Sequence, residues 1–141
     1  MAFVNPTRER IKDILQHAGN IAVVGLSDRE DRTSHMVAAA LQRKGYRIIP
    51  VNPNAQTILG EKCYPSLPDI PEPVDIVNVF RRSEHTVEVA EQAVQIKAKV
   101  LWLQLGIVNE EAARIAGEHG LEVIMDRCIK VEDSILLPSG R

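Results

Sequence analysis

The sequence predicts an α/β protein of Rossmann-like architecture, a three-layer sandwich whose five-stranded parallel sheet carries helices on both faces. Three observations predict it. Short apolar runs alternate with helix-period segments along the chain. There are five such runs, apolar throughout, as in parallel strands covered on both sides. The first run, IAVV, ends in Gly25 and is followed by a polar loop and a helix, the order in which many α/β proteins hold phosphates. Right-handed crossovers leave few topologies, and the order 3-2-1-4-5 is expected.

The elements follow in order. PTRERIKDILQHAG carries Ile11, Ile14 and Leu15 on one face and stops at Gly19, an amphipathic helix. NIAVVGL is the first buried strand. SHMVAAALQRKGY places Met36, Val37, Ala40 and Leu41 at helical spacing, with Ser34 as its N-cap, and ends at Lys44 and Gly45. RIIPVNP is the second strand, with one ladder donor removed at Pro50. Asn54 to Pro73 shows no period and reads as irregular. VDIVNVF is the third strand, and SEHTVEVAEQAVQIKA a helix with Ser83 as N-cap. KVLWLQLG, NEEAARIAGEHG and LEVIM supply strand, helix and strand, with Asn109 as the helix cap. The tail DRCIKVEDSILLPSGR gives only a weak helical hint.

The length of 141 residues suits one domain, 1–141, with its own core. A formal net charge of −2 gives no global footprint for nucleic acid or an anionic membrane, and scarce aromatics disfavour a base-stacking platform. The opening MAFVNPTRER lacks the apolar segment of a signal peptide, and no run approaches membrane-spanning length. Cys63 and Cys128 are too few and too far apart for a disulfide framework or zinc site and read as reduced thiols, which points to the cytoplasm.

In sheets of this kind, ligands sit outside the carboxyl ends of the strands. That selects Gly25–Ser34, Asn52–Asn54, Val79–Ser83, Gln104–Ile107 and Asp126–Cys128. Gly25 permits a tight turn, Ser27 and Ser34 carry hydroxyls, and Arg29 and Arg32 add positive charge beside Asp28, Glu30 and Asp31. An NAD site needs more glycines and an acid after the second strand. Here Ser27 stands for the second glycine and VNPN for the acid, so an NAD dehydrogenase is disfavoured. Phe80 reads either as core or as a platform for a ring, Arg81 and Arg82 as phosphate partners or solvated charges, and Gln104 as a buried amide or a ligand contact. His17 and His119 lie near helix C-termini, where solvated roles are common, His35 and His85 have no obvious serine–acid or cysteine partner set by sequence, and no metal-ligand spacing occurs. Cys128 reads first as a structural thiol.

IAVVGLS, Ser34, GYRIIPVNP, GEKCYPSLPDIPEPVDIVNVFR, VLWLQLGI and MDRC resemble the small bacterial CoA-binding proteins of the YccU type. Their fold is similar to the CoA-binding domain of the succinyl-CoA synthetase alpha subunit. The resemblance covers nearly the whole chain and implies coenzyme A across the strand ends. It implies that Gly25, Leu26, Ser27 and Ser34 line the phosphate and pantetheine side, and that Val51, Asn52 and Pro53 border the ADP moiety. Val79, Phe80 and Arg81 would pack the adenosine region, and Gln104, Gly106 and Ile107 would contact the pantetheine arm. Where the ligase pattern has a lysine for the 3′-phosphate this chain has Ala55, so Arg32, Arg81 or Arg82 is left to take that contact. The ligase's acidic residue in the fourth-strand loop corresponds to Leu105, and its phosphohistidine lies in a second domain. The resemblance therefore implies a non-catalytic binder of CoA or acyl-CoA, acting as carrier, sensor or regulatory partner of an acyl-CoA enzyme. The alternative is a CoA- or nucleotide-dependent enzyme subunit that needs a partner. On the same edge, Cys128 falls where the thiol arm would end.

Overall fold

The computed structural model describes residues 3–140, so the ends of the expected 1–141 domain, residues 1, 2 and 141, lie outside the described residues. Its main sheet is parallel and built from β1 (Asn20–Val24), β2 (Arg47–Val51), β5 (Ile76–Val79), β6 (Val100–Leu103) and β7 (Glu122–Ile124). The spatial order is β2-β1-β5-β6-β7. Between β2 and β5 the chain forms a two-stranded hairpin of β3 (Thr57–Ile58) and β4 (Glu61–Lys62). The hairpin lies against β2, and Tyr64 just after it makes an isolated parallel bridge to Val51.

The expected 3-2-1-4-5 pattern is met with this hairpin segment in the third place, flanking β2. VDIVNVF, the third long apolar run, is β5 and pairs with β1 on the side away from β2. Among the five sheet strands alone the order is therefore 2-1-3-4-5. The reason is local. Asn52 N–H donates to Tyr64 O and Tyr64 N–H to Pro50 O, each at 3.0 Å, so β2's outer edge is partly occupied by the segment after the hairpin and β5 pairs on the free side of β1.

Helices α1 (Arg8–His17), α2 (Thr33–Arg43) and α5 (Ile129–Leu136) cover one face of the sheet. Helices α3 (Thr86–Gln95) and α4 (Glu110–Glu118) cover the other. Alternation decides which side chain goes where: Ile21, Val23, Ile76, Val100 and Trp102 point to the first face, Ala22, Val24, Val77, Val79, Leu101 and Leu103 to the second. All of these are at most 5% exposed, which is why the strands read as continuous apolar runs.

The helix starts differ in part from expectation. Thr7 Oγ1 accepts from Arg10 N–H and Asn109 Oδ1 from Ala112 N–H, so both are side-chain caps. Ser34 lies inside α2, whose N-cap is Arg32, because its hydroxyl is engaged by the preceding loop. Ser83 opens a single 3-10 turn ahead of α3, and its Oγ accepts from Val108 N–H across the sheet edge. The tail forms α5, latched by Asp133, which is 1% exposed. Asp133 Oδ1 accepts from Tyr46 Oη at 2.5 Å, and its Oδ2 lies 2.6 Å from Lys44 Nζ. No described helix is long and apolar enough to cross a membrane.

Candidate functional site

Gly25 organises the carboxyl edge. Its φ of +85° is one that L side chains rarely adopt, and a Cβ there would collide with the Phe80 carbonyl. The loops after β1 and β5 thus touch backbone to backbone, and only glycine permits it. Gly25 N–H donates to Val51 O at 3.0 Å and Phe80 N–H to Val24 O at 2.8 Å, so three strand ends are tied together.

Two open clefts lie along this edge. One, of about 470 Å³, is walled by Gly25, Val51, Asn52, Pro53 and Arg81, with Glu88, Val89 and Gln92 of α3 opposite. The second, of about 420 Å³, is walled by Thr33, Phe80, Gln104, Leu105, Ile107 and Cys128. Arg81 borders both. Among the described residues Arg32, Arg81 and Arg82 form no ion pair, whereas Arg29 is held by Asp31 at 3.1 Å. An unpaired guanidinium on an open groove, here that of Arg81, favours an anion.

The residues selected from sequence divide accordingly. Gly25, Val51, Asn52, Pro53 and Arg81 share the first cleft. Phe80, Arg81, Gln104 and Ile107 share the second, so Phe80 stands with the residues assigned to the pantetheine arm. Leu26, Ser27, Arg32, Ser34, Val79 and Gly106 wall neither cleft. Leu26 and Val79 are fully buried, and act through their carbonyls, which accept from Asn52 Nδ2 and Gln104 N–H. Ser27 and Ser34 brace the loop: Ser34 Oγ accepts from Ser27 N–H, Ser27 Oγ from Arg29 N–H, and Ser27 O from His35 Nδ1. Each hydroxyl keeps a proton to donate. The Asn52 amide is oriented by its own loops, Nδ2 donating to Leu26 O and Oδ1 accepting from Asn54 N–H, and its second N–H remains to donate.

Glu88, Val89, Gln92, Pro65 and Ser66 are additions to the sequence-based set. The signal was present for the first three, since residues 88 and 92 stand one helical turn apart beside a buried Val89. Asp126 and Arg127 prove to be fasteners. Asp126 Oδ1 accepts from Gly106 N–H at 2.7 Å, and Arg127 O accepts from the indole of the fully buried Trp102 at 2.9 Å. Arg127 turns its own guanidinium to the Asp126 carbonyl at 2.8 Å. Cys63 and Cys128 are both free thiols. Burial pushes the Cys63 thiol up, with a smaller push from Asp28. No group of three or more His, Cys, Asp or Glu side chains among the described residues could hold a metal ion.

Comparison with known proteins identifies the family. The model of the CoA binding domain matches residues 19–134. The uncharacterized protein YneT of Bacillus subtilis is 56% identical over 131 residues, 93% of this chain and 97% of that protein. An ADP-forming acetate–CoA ligase of Archaeoglobus fulgidus is 33% identical over 116 residues, 74% of this chain but only 17% of the ligase. Among solved structures, a hypothetical protein from Pyrococcus horikoshii superposes with a TM-score of 0.91 at 39% identity, covering 97% of this chain and 99% of that one. The match runs from β1 into α5 and so takes in both clefts and the Gly25 contact between them: this chain belongs to the CoA binding domain family.

Proposed function

We propose that residues 1–141 form one domain that binds coenzyme A or an acyl-CoA across its strand ends, in the cytoplasm and without catalysis of its own. The observation that carries this reading is Arg81, an arginine without an acidic partner that borders both clefts. In this reading the nucleotide lies in the cleft of Asn52 and Pro53, with Glu88 as an acceptor for a ribose hydroxyl or the adenine amine. The phosphates cross at Gly25 and Arg81, with Arg32 and Arg82 adding charge. The pantetheine arm descends past Phe80, Gln104 and Ile107. Gly106, Leu26, Ser27, Ser34, Val51 and Val79 shape the walls through backbone and loop contacts.

Calorimetry with CoA, dephospho-CoA, acetyl-CoA, NAD and ATP tests it. CoA is expected to bind more tightly than dephospho-CoA, and NAD weakly or not at all. Absence of heat with every CoA species at millimolar concentration sinks the reading. The ligase relatives favour a second reading, in which the domain serves as the CoA-holding part of a multi-subunit enzyme. Turnover of an acyl-CoA after addition of a co-purifying subunit, and none without it, would favour that one.

A further inference from the structure

The cleft at the ends of β5 and β6 holds an amide N–H and a thiol that form no hydrogen bond among the described residues. Gln104 is 4% exposed. Its Oε1 accepts from Ile129 N–H at 3.3 Å and from Asn78 Nδ2 at 3.4 Å. A backbone N–H can only donate, so Ile129 fixes the amide with its oxygen toward α5 and its nitrogen away. Gln104 Nε2 has no acceptor among the described residues and is not one of the fully enclosed atoms, which leaves it facing the cleft that Gln104 lines. An amide donor that reaches the cleft from an otherwise buried side chain, without a protein partner, is a place for a ligand acceptor.

Cys128 shares that wall. It is half-buried, packs with Phe80 against the core, and lies at the N-cap of α5. The residues before it are fastened by Trp102 and by Gly106, as described above, so the sulfur is held at the cleft. The juxtaposition of an amide donor and a thiol matches the end of a pantetheine arm, where an amide carbonyl is followed by a short alkyl link and sulfur. Cys63, at 7% exposed, lines neither cleft.

We propose, resting on the CoA-binding reading, that Cys128 exchanges disulfides with oxidised CoA bound in this groove. The thiolate of Cys128 attacks one sulfur of CoA disulfide. The sulfur–sulfur bond breaks, a Cys128–CoA disulfide forms, and the other CoA leaves as a thiolate that takes up the proton Cys128 released. Cys128 is oxidised and the departing sulfur is reduced, so one disulfide is consumed for each one formed. A reduced thiol reverses the step. The groove thereby holds its ligand covalently under oxidising conditions and exchanges it under reducing ones.

The test is intact-protein mass spectrometry after incubation with CoA disulfide, using the parent, Cys128→Ser and Cys63→Ser, beside calorimetry of the reduced parent with CoA. One reductant-sensitive CoA adduct is expected on the parent and on Cys63→Ser, and none on Cys128→Ser. Glutathione disulfide, which has no nucleotide to dock, is expected to react about tenfold more slowly. Excess CoA lacking its thiol is expected to slow the CoA reaction by occupying the groove. Adduct on Cys128→Ser at the parent's level, or equal rates for the two disulfides, overturns the proposal. So does an unlabelled parent that binds CoA in the calorimeter, an outcome that leaves the CoA-binding reading standing. A parent that binds no CoA species overturns both.

Discussion

The two edges of the sheet treat charge in opposite ways. Where the strands begin, charged and polar side chains are partnered. Asp75 accepts from Gly19 and Asn20 N–H at 2.8 and 2.9 Å and lies 3.5 Å from Lys99. Arg47 meets Glu72 at 2.8 Å, and Arg10 is bonded to Glu122. Where the strands end, Arg32, Arg81 and Arg82 have no carboxylate, and the backbone opens into two clefts that share Arg81. One edge pairs Arg10 and Arg47 with acids, and the other leaves Arg32, Arg81 and Arg82 unpaired, in a chain whose net charge is −2. The lesson is that a binding edge is marked less by how much charge it carries than by how little of it is paired.

Substitutions can break this contrast. The largest effect is expected at the point where the open edge is assembled. Gly25→Val brings a β-branched side chain to φ +85° and into the Phe80 carbonyl, and is expected to cost about 3 kcal/mol in urea unfolding and to abolish CoA binding. Retention of parental stability would show that the β1 and β5 loops do not need their contact. Next comes Arg81→Ala, expected to weaken CoA binding about tenfold to a hundredfold while leaving the thermal midpoint in place. Equal binding by this variant would move the phosphates elsewhere on the edge.

The paired edge should respond in stability and not in binding. Burial pushes the Asp75 carboxyl up, but hydrogen bonds from Asn20 and Gly19, with Lys99, outweigh it and hold the group below its ordinary value of 3.8. A hydrogen bond and charge from Arg10 likewise hold Glu122 below 4.5. With folded values depressed, the stability these carboxylates supply is present above their unfolded values and is lost as pH falls below about 4 through the folded ones. Asp75→Ala is expected to lose about 1 kcal/mol at neutral pH and to flatten the acid limb of a stability–pH profile. An unchanged acid limb would remove Asp75 from that account. The smallest effect belongs to Arg47→Ala. Its guanidinium is half exposed beside Glu72, so about 0.5 kcal/mol is expected, with CoA affinity unaltered.

Much of this architecture was legible in the sequence because strands buried on both faces leave unbroken apolar runs, and β1, β2, β5, β6 and β7 all do. The hairpin was not. Its strands are two residues each, and its turn is made by Leu59 and Gly60 at φ +56° and +76°, without the Asn-Gly pair that usually marks such a turn. Helix α5 was faint for another reason. Two residues of its core-facing stripe are the acids Glu132 and Asp133, acceptable there because Arg8, Lys44 and Tyr46 come from distant segments to meet them. At the site, the sequence identified the strand ends and the residue types. It did not show that Asn52, Ser27 and Ser34 direct their polar groups at their own loops, because those bonds exist only once Leu26, Asn54 and Arg29 are in place.

The contact of Gly25 with the Phe80 carbonyl also bears on speed. With the loops after β1 and β5 in backbone contact, the groove already stands open in the absence of a ligand. Association then requires only a collision in the right orientation, which allows rate constants of about 10⁵–10⁷ M⁻¹s⁻¹. On the proposed CoA-binding reading, differences in affinity among CoA species are accordingly expected in how long each one stays.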